Sequence, residues 1–592
     1  MSTTNQPSPP LPPAGPPGRR LGMAAAAAGV VVLAAALRLW SLGSVSGNVF
    51  YDAAVRSMGL SWHNLFFGAL EPAGSISVDK TPVDLWLQVA STRVLGFGLF
   101  SLHLPEALAG VAAVALLYAL VDRLAGRGAA VLAALALAVL PISVLTARSD
   151  TMDSVLVALI LAAVIVSARA LETGRTRWVL AAAALMGLAF NVKLTESFVA
   201  LPAVALLWWW ARPTLGRRLR LLAGAAAVFV AVSLSWVTIA SLTARPDRPF
   251  PIGSKTGGLW RLLFVYNGTD RITGKGVVGF ASATTGGAAG PLRLFDAGAS
   301  RYGVNIGIEL LAALLVGGAA VVLEVRARRS RPRRPLTVAE RVGIGVGLWF
   351  ATGLIVFSAM RRLEPRYLEA FAPAVGGVLG LGVARILAEP GRAAPLTLGA
   401  ITALVALYAA LVDPALGTST VIVLASAGAA TLGGALWLAR MPAGAATPRA
   451  RRLLAGAAAV ALLAAPLAAS LAFVAHHISN STLPDPASLR IDRYLLAHRS
   501  GARYEVVSGS VYDVMGIVAR DGQPVLVLNS VDGPIVRVAE LQARLARDEV
   551  NFLYVPHRCP TLSRCLASTR WAILHSTPVP GENGVYRFAD PT

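Results

Sequence analysis

Acidic and basic side chains are scarce in this sequence, and several of them gather at the ends of apolar segments. The stretch VDKTP places Asp79 beside Lys80, and the stretch RSDTMD places Asp150 three residues before Asp153. A carboxylate can take a proton from an attacking hydroxyl, and an ammonium can stabilise a phosphate leaving group. These residue types therefore predict group transfer from a phosphate-bearing donor. The structural alternatives are that Asp79 and Lys80 merely pair and that either acid of RSDTMD caps the following helix.

The lysines of the chain are unevenly distributed. Lys80, Lys193, Lys255 and Lys275 are its four lysines, and all of them fall on predicted outer loops or span ends. The predicted cytoplasmic loops use arginine alone. Because a compact ammonium is a common ligand for phosphate, we expect an anionic partner on the outer side of the membrane.

The elements that must position these residues are membrane spans. Of the 592 residues, 55% are hydrophobic and 14% are charged, and the mean hydropathy is +0.64. These values lie outside the range of soluble globular proteins. Apolar segments of nearly bilayer-spanning length predict a polytopic α-helical membrane protein with about 13 transmembrane helices. The segments are 21–40, 104–124, 128–147, 153–170, 177–192, 195–211, 220–242, 303–324, 341–360, 367–387, 395–412, 419–439 and 452–475.

Basic residues fall in alternate loops, and this pattern predicts the orientation of the chain. Arginine-rich stretches such as EVRARRSRPRRPLTVAER and RMPAGAATPRARR follow the positive-inside rule and place the N-terminus in the cytoplasm. The formal net charge of +22 is then mostly a topological signal and does not indicate nucleic-acid binding. An odd number of spans leaves residues 476–592 outside the plasma membrane.

Composition divides the chain into three regions. We expect a disordered, Pro-rich cytoplasmic tail at 1–20, a transmembrane catalytic domain at 21–475 and an extracytoplasmic domain at 476–592. Long outer loops at 41–103 and 243–302 belong to the catalytic domain. Strand-like and helical segments alternate in the last region, which predicts a small parallel α/β domain.

Both cysteines of the chain, Cys559 and Cys565, lie in the predicted extracytoplasmic domain. A disulfide can persist outside the cell, so we expect these two residues to form one. The alternative is a pair of free thiols.

The predicted location of the polar residues restricts the donor. The outer face of a membrane has no nucleotide pool, so an activated sugar must arrive there on a lipid carrier. A carboxylate at the interface could deprotonate an acceptor hydroxyl while lysine and arginine side chains stabilise the departing lipid phosphate. This combination is typical of a glycosyltransferase that uses a lipid-phosphate sugar.

Several stretches of the sequence resemble glycosyltransferase family 39 in their order and spacing. They are LRLWSLG, NVFYDAAVRSMGLSWHNLFFGALEPAGSISVDKTPVDLWLQ, ARSDTMDSVLVALIL, GLAFNVKL and RYLEAFAPAVGGVLGLG. The resemblance covers nearly the whole chain after residue 20 and is strongest to bacterial YkcA/YkcB-type candidate mannosyltransferases. It implies the GT-C fold, which protein O-mannosyltransferases and lipid A aminoarabinose transferases share, and a polyprenyl-phosphate-linked sugar donor.

The resemblance also implies roles for individual residues. The acidic-Lys-Pro motif of the family falls on Asp79 and Lys80, and the lysine would contact the carrier phosphate. The acid that follows the third span of the family falls on Asp153. The lysine that follows the fifth span falls on Lys193.

The sequence departs from the family pattern near its first outer loop. The catalytic Asp-Glu pair of many relatives falls on Gly47 and Asn48, and Asp52 is the nearest acid. Thr81 replaces the first proline of the Lys-Pro-Pro motif, and Asp150 stands where asparagine is common. We expect Asp79 or Asp153 to be the base, with Asp52 or Asp150 as a relocated substitute.

The predicted site contains three groups of residues. His63 is expected at the membrane interface rather than on a metal. The groups are the catalytic acids Asp79, Asp153, Asp52 and Asp150, the donor-phosphate ligands Lys80, Lys193, Arg148 and Arg366, and the substrate-binding residues Asn48, Tyr51, His63, Asn64 and Tyr367.

We predict an inverting glycosyltransferase that moves a sugar, with mannose expected, from a polyprenyl phosphate to an extracytoplasmic protein or cell-envelope glycan. The alternatives are a flippase or transporter of lipid-linked sugars and a catalytically degenerate protein that binds glycan. A transporter would carry ionisable residues near mid-span, where this sequence has mainly Ala, Leu and Val. A divalent metal ion is the one cofactor that stays open, with Asp79 and Asp153 as its candidate ligands.

Overall fold

The computed structural model describes most of the chain and leaves a few short segments undescribed. Predictions for Lys275, for Cys559 and for residues 1–16 of the Pro-rich tail fall outside the described residues. Cys565 is disulfide-bonded. The described residues are 17–273, 287–298, 300–330, 334–389, 392–413, 417–441, 447–530, 533–556, 562 and 565–589.

The polytopic helical fold predicted from hydropathy is confirmed. Within the described residues, 11 helices are long and apolar enough to cross a membrane, and one bent pair brings the number to 12. The first helix begins at Pro17, inside the predicted disordered tail. The shorter apolar helix Leu201–Trp210 is not among those counted. The helices counted are Pro17–Leu39, Leu99–Ala125, the pair Arg127–Val139 and Pro141–Ala147, Asp153–Thr173, Thr176–Lys193, Leu215–Leu242, Ile308–Arg329, Val338–Ala359, Ala372–Ala388, Ala393–Val412, Thr418–Arg440 and Pro448–Ala475.

Two of the predicted spans are irregular. The segment predicted at 195–211 consists of the turn Leu194–Val199 and the helix Leu201–Trp210, whose ten residues are too few to cross a bilayer core alone. The segment predicted at 128–147 bends by 60° before Pro141. Proline cannot donate the helical hydrogen bond, so the preceding turn is left with free carbonyl groups.

Arg38 compensates for this bend. Its guanidinium is fully buried and donates to the carbonyl oxygens of Leu137 and Ala138 at 3.1 and 3.0 Å and to Ser143 Oγ at 2.9 Å. Ser143 in turn donates to Glu369 Oε1 at 2.9 Å. These hydrogen bonds stabilise the bend and so fix the helix Pro141–Ala147, which leads to Asp150 and Asp153.

The two long loops that are predicted to lie outside the membrane, 41–103 and 243–302, keep the name outer loops, and they contain short elements that pack on one another. The parallel strands Ile76–Ser77 and Phe250–Pro251 join the first loop to the second. A helical segment with a π-helical centre runs from Leu259 to Thr273. The other elements of the two loops are Leu42–Ser44, Val49–Met58, Trp62–Phe67, Val83–Leu95, Arg245–Asp247 and Arg293–Phe295. Two further short helical turns, Gly303–Gly307 and Pro365–Phe371, precede membrane helices.

The C-terminal region folds around a mixed sheet, so the prediction of a purely parallel domain is wrong in one respect. Val506–Ser508 pairs in parallel with Val525–Val527 and with Phe552–Tyr554. The last two strands, Ser576–Pro578 and Val585–Phe588, form a hairpin and are antiparallel. A short connection with glycines at positive φ cannot return a chain to a parallel register. The helices and remaining strands are Pro486–His498, Val511–Asp513, Met515–Asp521, Asn529–Ser530, Gly533–Pro534, Val538–Leu545 and Ala567–Leu574.

Candidate active site

Asp79 and Lys80 lie where the two outer loops meet. The strand Ile76–Ser77 ends just before them, and it pairs with Phe250–Pro251 of the second loop. The Asn267 side chain donates to the carbonyl oxygen of Asp79. The hydroxyl of Thr81 donates to the carbonyl oxygen of Asn191. The VDKTP stretch is therefore held by backbone contacts on both sides, which leaves its charged side chains free to form a site.

The ammonium of Lys80 has two partners. It lies 2.8 Å from Asp79 Oδ1 and donates to the hydroxyl of Tyr51 at 2.8 Å. The other oxygen of Asp79 lies 3.5 Å from Arg271. Burial alone would raise the pKa of Asp79, but the charges of Lys80 and Arg271 outweigh burial and leave this pKa below its usual value. Burial likewise opposes the charge of Lys80, and the neighbouring carboxylate raises the lysine pKa overall.

A second ion pair lies nearby, between Lys193 and Asp153. Glu196 Oε2 lies 3.4 Å from the same ammonium. Each partner of the pair is adjacent to a residue other than glycine in the left-handed backbone region, with φ of +70° at Met152 and +49° at Leu194. Such conformations are costly and cluster at functional sites. The backbone is thus shaped to bring Asp153 and Lys193 together.

Two arginines complete a group that we name the cation cluster: Lys80, Lys193, Arg271 and Arg366. Arg271 donates to the hydroxyl of Tyr367 at 3.2 Å. The guanidinium of Arg366 lies over the ring of Tyr367, and its Nε is buried without a partner among the described residues. The carboxylates of Asp79, Asp153, Glu196 and Glu364 face these four cations.

A cavity of about 350 Å³ opens beside the cation cluster. Lys80, Lys193 and Arg271 line it together with Tyr367 and Glu196. Thr195, Asn267, Gly268 and Thr269 also line it, and apolar side chains form the rest of its wall. We name it the apolar cavity. The apolar lining residues are Leu194, Phe198, Val199, Phe264, Ile272, Val356, Phe357 and Met360.

Asp52, in the first outer loop, and Asp150 form a carboxyl pair. Their side chains share a hydrogen bond, and the backbone N–H of Asn48 donates to both oxygens of Asp150, at 3.2 and 3.1 Å. Burial, followed by the charge of Asp150, raises the pKa of Asp52 well above its usual value. Burial also raises the pKa of Asp150.

Asp52 fills the space beside Gly47. A Cβ atom on this glycine would lie 2.9 Å from Asp52 Oδ1 and 3.0 Å from Asp52 Cγ. The Asp52 carboxyl therefore occupies the volume that a short side chain at position 47 would take. Asp52 Oδ1 has no hydrogen-bond partner among the described residues.

Sequence reasoning missed several charged residues in this region. Arg271 lies in a glycine-rich loop, where no pattern distinguishes it from other loop arginines. Glu106 accepts from the backbone N–H of Ser154 at 2.7 Å and shares a hydrogen bond with Asp84. Burial is the main cause that raises the pKa of Asp84 to about 7. An acid inside a predicted span was the available signal for Glu106, because an isolated charge there is expensive.

Three of the predicted site residues have structural contacts away from the cation cluster. Arg148 donates to the carbonyl oxygen of Trp40 at 2.8 Å and so caps the first membrane helix, and its phosphate contact stays a prediction. Asn64 donates to the Pro72 carbonyl oxygen at 3.0 Å and stabilises its own loop. His63 Nε2 lies 3.0 Å from the Asp247 carbonyl oxygen, which joins the two outer loops.

Asn48 was also predicted to bind substrate, and this role stays a prediction. Its side chain accepts from Phe50 N at 3.2 Å and so caps the helix Val49–Met58. The backbone of Asn48, rather than its side chain, contacts the carboxyl pair. Tyr51 and Tyr367, by contrast, lie in the cation cluster.

The carboxylates proposed as metal ligands are surrounded by cations. Asp79 contacts Lys80 and Arg271, and Asp153 contacts Lys193. The part of the chain that the structure describes contains no group of three or more His, Cys, Asp or Glu side chains arranged to hold a metal ion. The arrangement of these two acids therefore does not fit a metal site.

Comparison with known proteins supports the family resemblance deduced from the motifs. Residues 79–236 match the profile of the family described as dolichyl-phosphate-mannose-protein mannosyltransferase. The chain is 39% identical over 231 residues to YycA and 38% identical over 229 residues to YkcB, both from Bacillus subtilis (strain 168) and both named as candidate mannosyltransferases. These matches cover 39% and 38% of this chain but about a third of each relative, 34% and 32% respectively.

Solved structures show the same fold over most of the chain. Apo ArnT from Cupriavidus metallidurans matches with a TM-score of 0.55 and 17% identity, over 97% of this chain and 98% of ArnT. ArnT bound to undecaprenyl phosphate matches with a TM-score of 0.53 and 17% identity over the same shares. The oligosaccharyltransferase of Archaeoglobus fulgidus, tethered to an acceptor peptide, matches with a TM-score of 0.51 and 12% identity, over 90% of this chain and 69% of that protein. The predicted GT-C fold is confirmed.

Proposed function

From the match of residues 79–236 to a mannosyltransferase family and from the geometry of the cation cluster, we propose that the chain is an inverting glycosyltransferase. Its donor is a polyprenyl-phosphate sugar, with mannose as the expected sugar. Its acceptor is a protein or an envelope glycan on the outer side of the plasma membrane. The names of the relatives favour mannose, and a structure of ArnT with undecaprenyl phosphate favours a lipid-phosphate donor.

The observation that carries the proposal is the apolar cavity with three cations in its lining. A polyprenyl phosphate has an apolar chain and an anionic headgroup, and this cavity offers matching surfaces for both. Arg366 is a candidate for a phosphate contact beside the three cations that line the cavity, because it lies over the ring of Tyr367, which lines the cavity, and its Nε has no hydrogen-bond partner among the described residues. A guanidinium binds phosphate oxygens through two parallel hydrogen bonds.

The proposed reaction is a displacement at the anomeric carbon. The acceptor hydroxyl forms a bond to this carbon while the bond from the carbon to the phosphate oxygen breaks, and the electron pair leaves with the lipid phosphate. The carboxylate base takes the hydroxyl proton. Lys80, Lys193, Arg271 and Arg366 stabilise the charge that develops on the leaving phosphate. Attack opposite to the leaving group inverts the configuration.

The carboxyl pair supplies the best base. Asp79 and Asp153 are bound to cations, and the pKa of Asp79 lies below its usual value, so Asp79 is a weak proton acceptor. Burial and the charge of Asp150 raise the pKa of Asp52, which makes its ionised form a stronger proton acceptor. We therefore assign the base to Asp52, with Asp150 as its partner, and we assign Asp79 to holding Lys80.

A flippase is the competing function, and the placement of buried charge does not favour it. Within the described spans, Glu106, Glu309 and Glu369 are fully buried near the ends that adjoin the outer loops. A transporter that moves a charged headgroup through the bilayer would be expected to carry such residues at mid-span.

Transfer by the purified protein in lipid vesicles tests the proposal. Radiolabelled polyprenyl-phosphate mannose is supplied with a cell-envelope extract, and label in the extract is compared with label in the lipid. We expect Lys80→Ala to lose about 10²–10³-fold of the rate, as other losses of a charge-stabilising donor do. Lys255→Ala is the matched control, because Lys255 is exposed on an outer loop.

Two outcomes would contradict the proposal. Labelled lipid that crosses the bilayer without transfer would identify a flippase. Equal rates for Lys80→Ala and Lys255→Ala would remove Lys80 from the site.

A further inference from the structure

The C-terminal region, residues 476–592, is bound to the helix Val49–Met58 at both ends of that helix. At its start, the Val49 N–H donates to the Thr482 carbonyl oxygen at 2.9 Å. At its end, Arg56 donates to the carbonyl oxygens of Ala519 and Arg520 at 3.2 and 2.7 Å. Arg56 thereby caps the helix Met515–Asp521. These contacts fix the C-terminal region relative to the residues that hold Lys80.

A continuous row of aromatic rings connects the C-terminal region to the cation cluster. Tyr512 stacks on Phe50 with ring centres 6.2 Å apart, and Phe50 meets Tyr51 edge to face at 5.2 Å. The hydroxyl of Tyr51 accepts from Lys80 at 2.8 Å. Tyr512 is thus two rings away from the ammonium that we assign to the donor phosphate.

The position of Tyr512 is well defined. Its backbone N–H donates to Ser510 Oγ at 3.3 Å, which caps the turn Val511–Asp513. The side chain is half-buried, and its hydroxyl lies close enough to Tyr266, Asp79 and Lys80 to feel their charges. Burial, followed by Tyr266 and Asp79, raises the pKa of Tyr512, so the phenol stays protonated at neutral pH.

We propose that Tyr512 forms the acceptor side of the active site, so that the C-terminal region completes the catalytic centre. This inference rests on the proposed glycosyltransferase function. The aromatic ring suits the apolar face of a pyranose or a peptide side chain, and the hydroxyl can hydrogen-bond an acceptor hydroxyl.

The placement of Tyr512 favours the acceptor over the donor. Tyr512 is absent from the lining of the apolar cavity, where the lipid donor binds in the proposed function. It approaches Asp79 and Lys80 from the C-terminal region, which is predicted to lie in the outer aqueous phase. A water-soluble acceptor that enters from that phase meets Tyr512 before it reaches the anomeric carbon.

The test separates acceptor from donor kinetics in the full-length protein. Transfer of label from polyprenyl-phosphate mannose is measured in vesicles while either the donor or the cell-envelope extract is varied. We expect Tyr512→Ala to raise the half-saturating extract concentration about tenfold or more and to leave the half-saturating donor concentration within about twofold. Tyr512→Phe should show an intermediate effect, because the ring remains and the hydroxyl is lost.

Trp571→Ala is the matched control. Trp571 stacks on His575 at 4.1 Å within the same region and lies apart from the aromatic row. It should leave both concentrations unchanged. Thermal unfolding of each variant reports on folding. If Tyr512→Ala unfolds at a lower temperature than the wild type, Tyr512→Leu takes its place.

The outcomes distinguish this inference from the function on which it rests. If the wild-type protein transfers label and Tyr512→Ala has the same half-saturating extract concentration as the wild type, the acceptor role alone is overturned. If Tyr512→Ala raises the half-saturating concentrations of donor and of extract equally, the acceptor role is also overturned, because that result indicates a general structural effect. An inactive wild-type protein removes the proposed function and the acceptor role together.

Discussion

A carboxylate moved from position 52 to position 47 should still act as the base. A Cβ on Gly47 would lie 2.9 Å from Asp52 Oδ1 and 3.0 Å from its Cγ. A carboxyl carbon is one bond beyond Cβ, so the carboxylate of Gly47→Asp would enter the volume that the Asp52 carboxylate now fills. The exchange Gly47→Asp/Asp52→Ala therefore keeps the carboxylate in place while its backbone origin changes.

The expected magnitudes follow from this geometry. Asp52→Ala removes the base and should lower the transfer rate about 10²–10⁴-fold. The double variant should recover most of that loss. Gly47→Asp alone crowds a third carboxyl against Asp52 and Asp150, and overpacking of this kind costs about 1–3 kcal/mol. It should therefore unfold at a lower temperature than the double variant.

The assay is the initial rate of label transfer in vesicles, together with thermal unfolding of each variant in detergent. Asp247→Ala is the control, since this acid lies exposed in the second outer loop and contacts His63 through its backbone. Recovery by the double variant identifies the carboxylate position as the requirement. An Asp52→Ala protein with the wild-type rate would refute the assignment, and a folded double variant as slow as Asp52→Ala would refute the spatial reasoning.

Three further predictions concern charge. Arg366→Gln should weaken donor binding about 10–100-fold, because a hydrogen bond to a charged group contributes about 1.5–3 kcal/mol. Arg361→Gln, at an exposed position, is the control and should leave donor binding unchanged. Equilibrium binding of labelled donor measures both. The folded-state pKa of Asp84 is raised to about 7, so the free energy of unfolding should fall as pH rises from about 4 to about 7. In Asp84→Asn, the free energies of unfolding measured at about pH 5 and about pH 8 should differ less than in the wild type. Arg38→Met should destabilise the protein by about 3–5 kcal/mol, because it leaves the carbonyls at the bend and Glu369 without their cation. Arg326→Met, on an exposed helix end, should keep the wild-type unfolding temperature, and equal curves for the two arginine variants would contradict the role of Arg38.

The membrane fold could be predicted because hydropathy acts locally. A run of about 20 apolar residues must form a helix in a bilayer, since each backbone group has to be satisfied within the segment. The two irregular spans were less predictable. Pro141 signals the bend directly, but nothing in the residue types around Leu194 predicts a left-handed backbone there. The hairpin of the C-terminal sheet was not predicted, because the turn between its two strands is recognised only once their antiparallel pairing is known.

The candidate site divides in the same way. Asp79, Lys80, Asp153 and Lys193 could be selected from the sequence because charge near a membrane is expensive and therefore rare. The partners of each charge could not be selected, because they come from distant segments. Arg271 reaches Asp79 across 192 residues, and Lys193 reaches Asp153 across 40.

By itself the sequence determined that the chain is a polytopic membrane protein with charged residues concentrated at span ends, because hydropathy and charge scarcity are properties of single segments. Only the tertiary structure decided how those charges are used. It committed Arg148 to a helix end, paired Asp52 with Asp150 beside Gly47, and brought Tyr512 to within two rings of Lys80. Each of these outcomes depends on the distance between atoms that are far apart in the chain, and packing alone sets that distance.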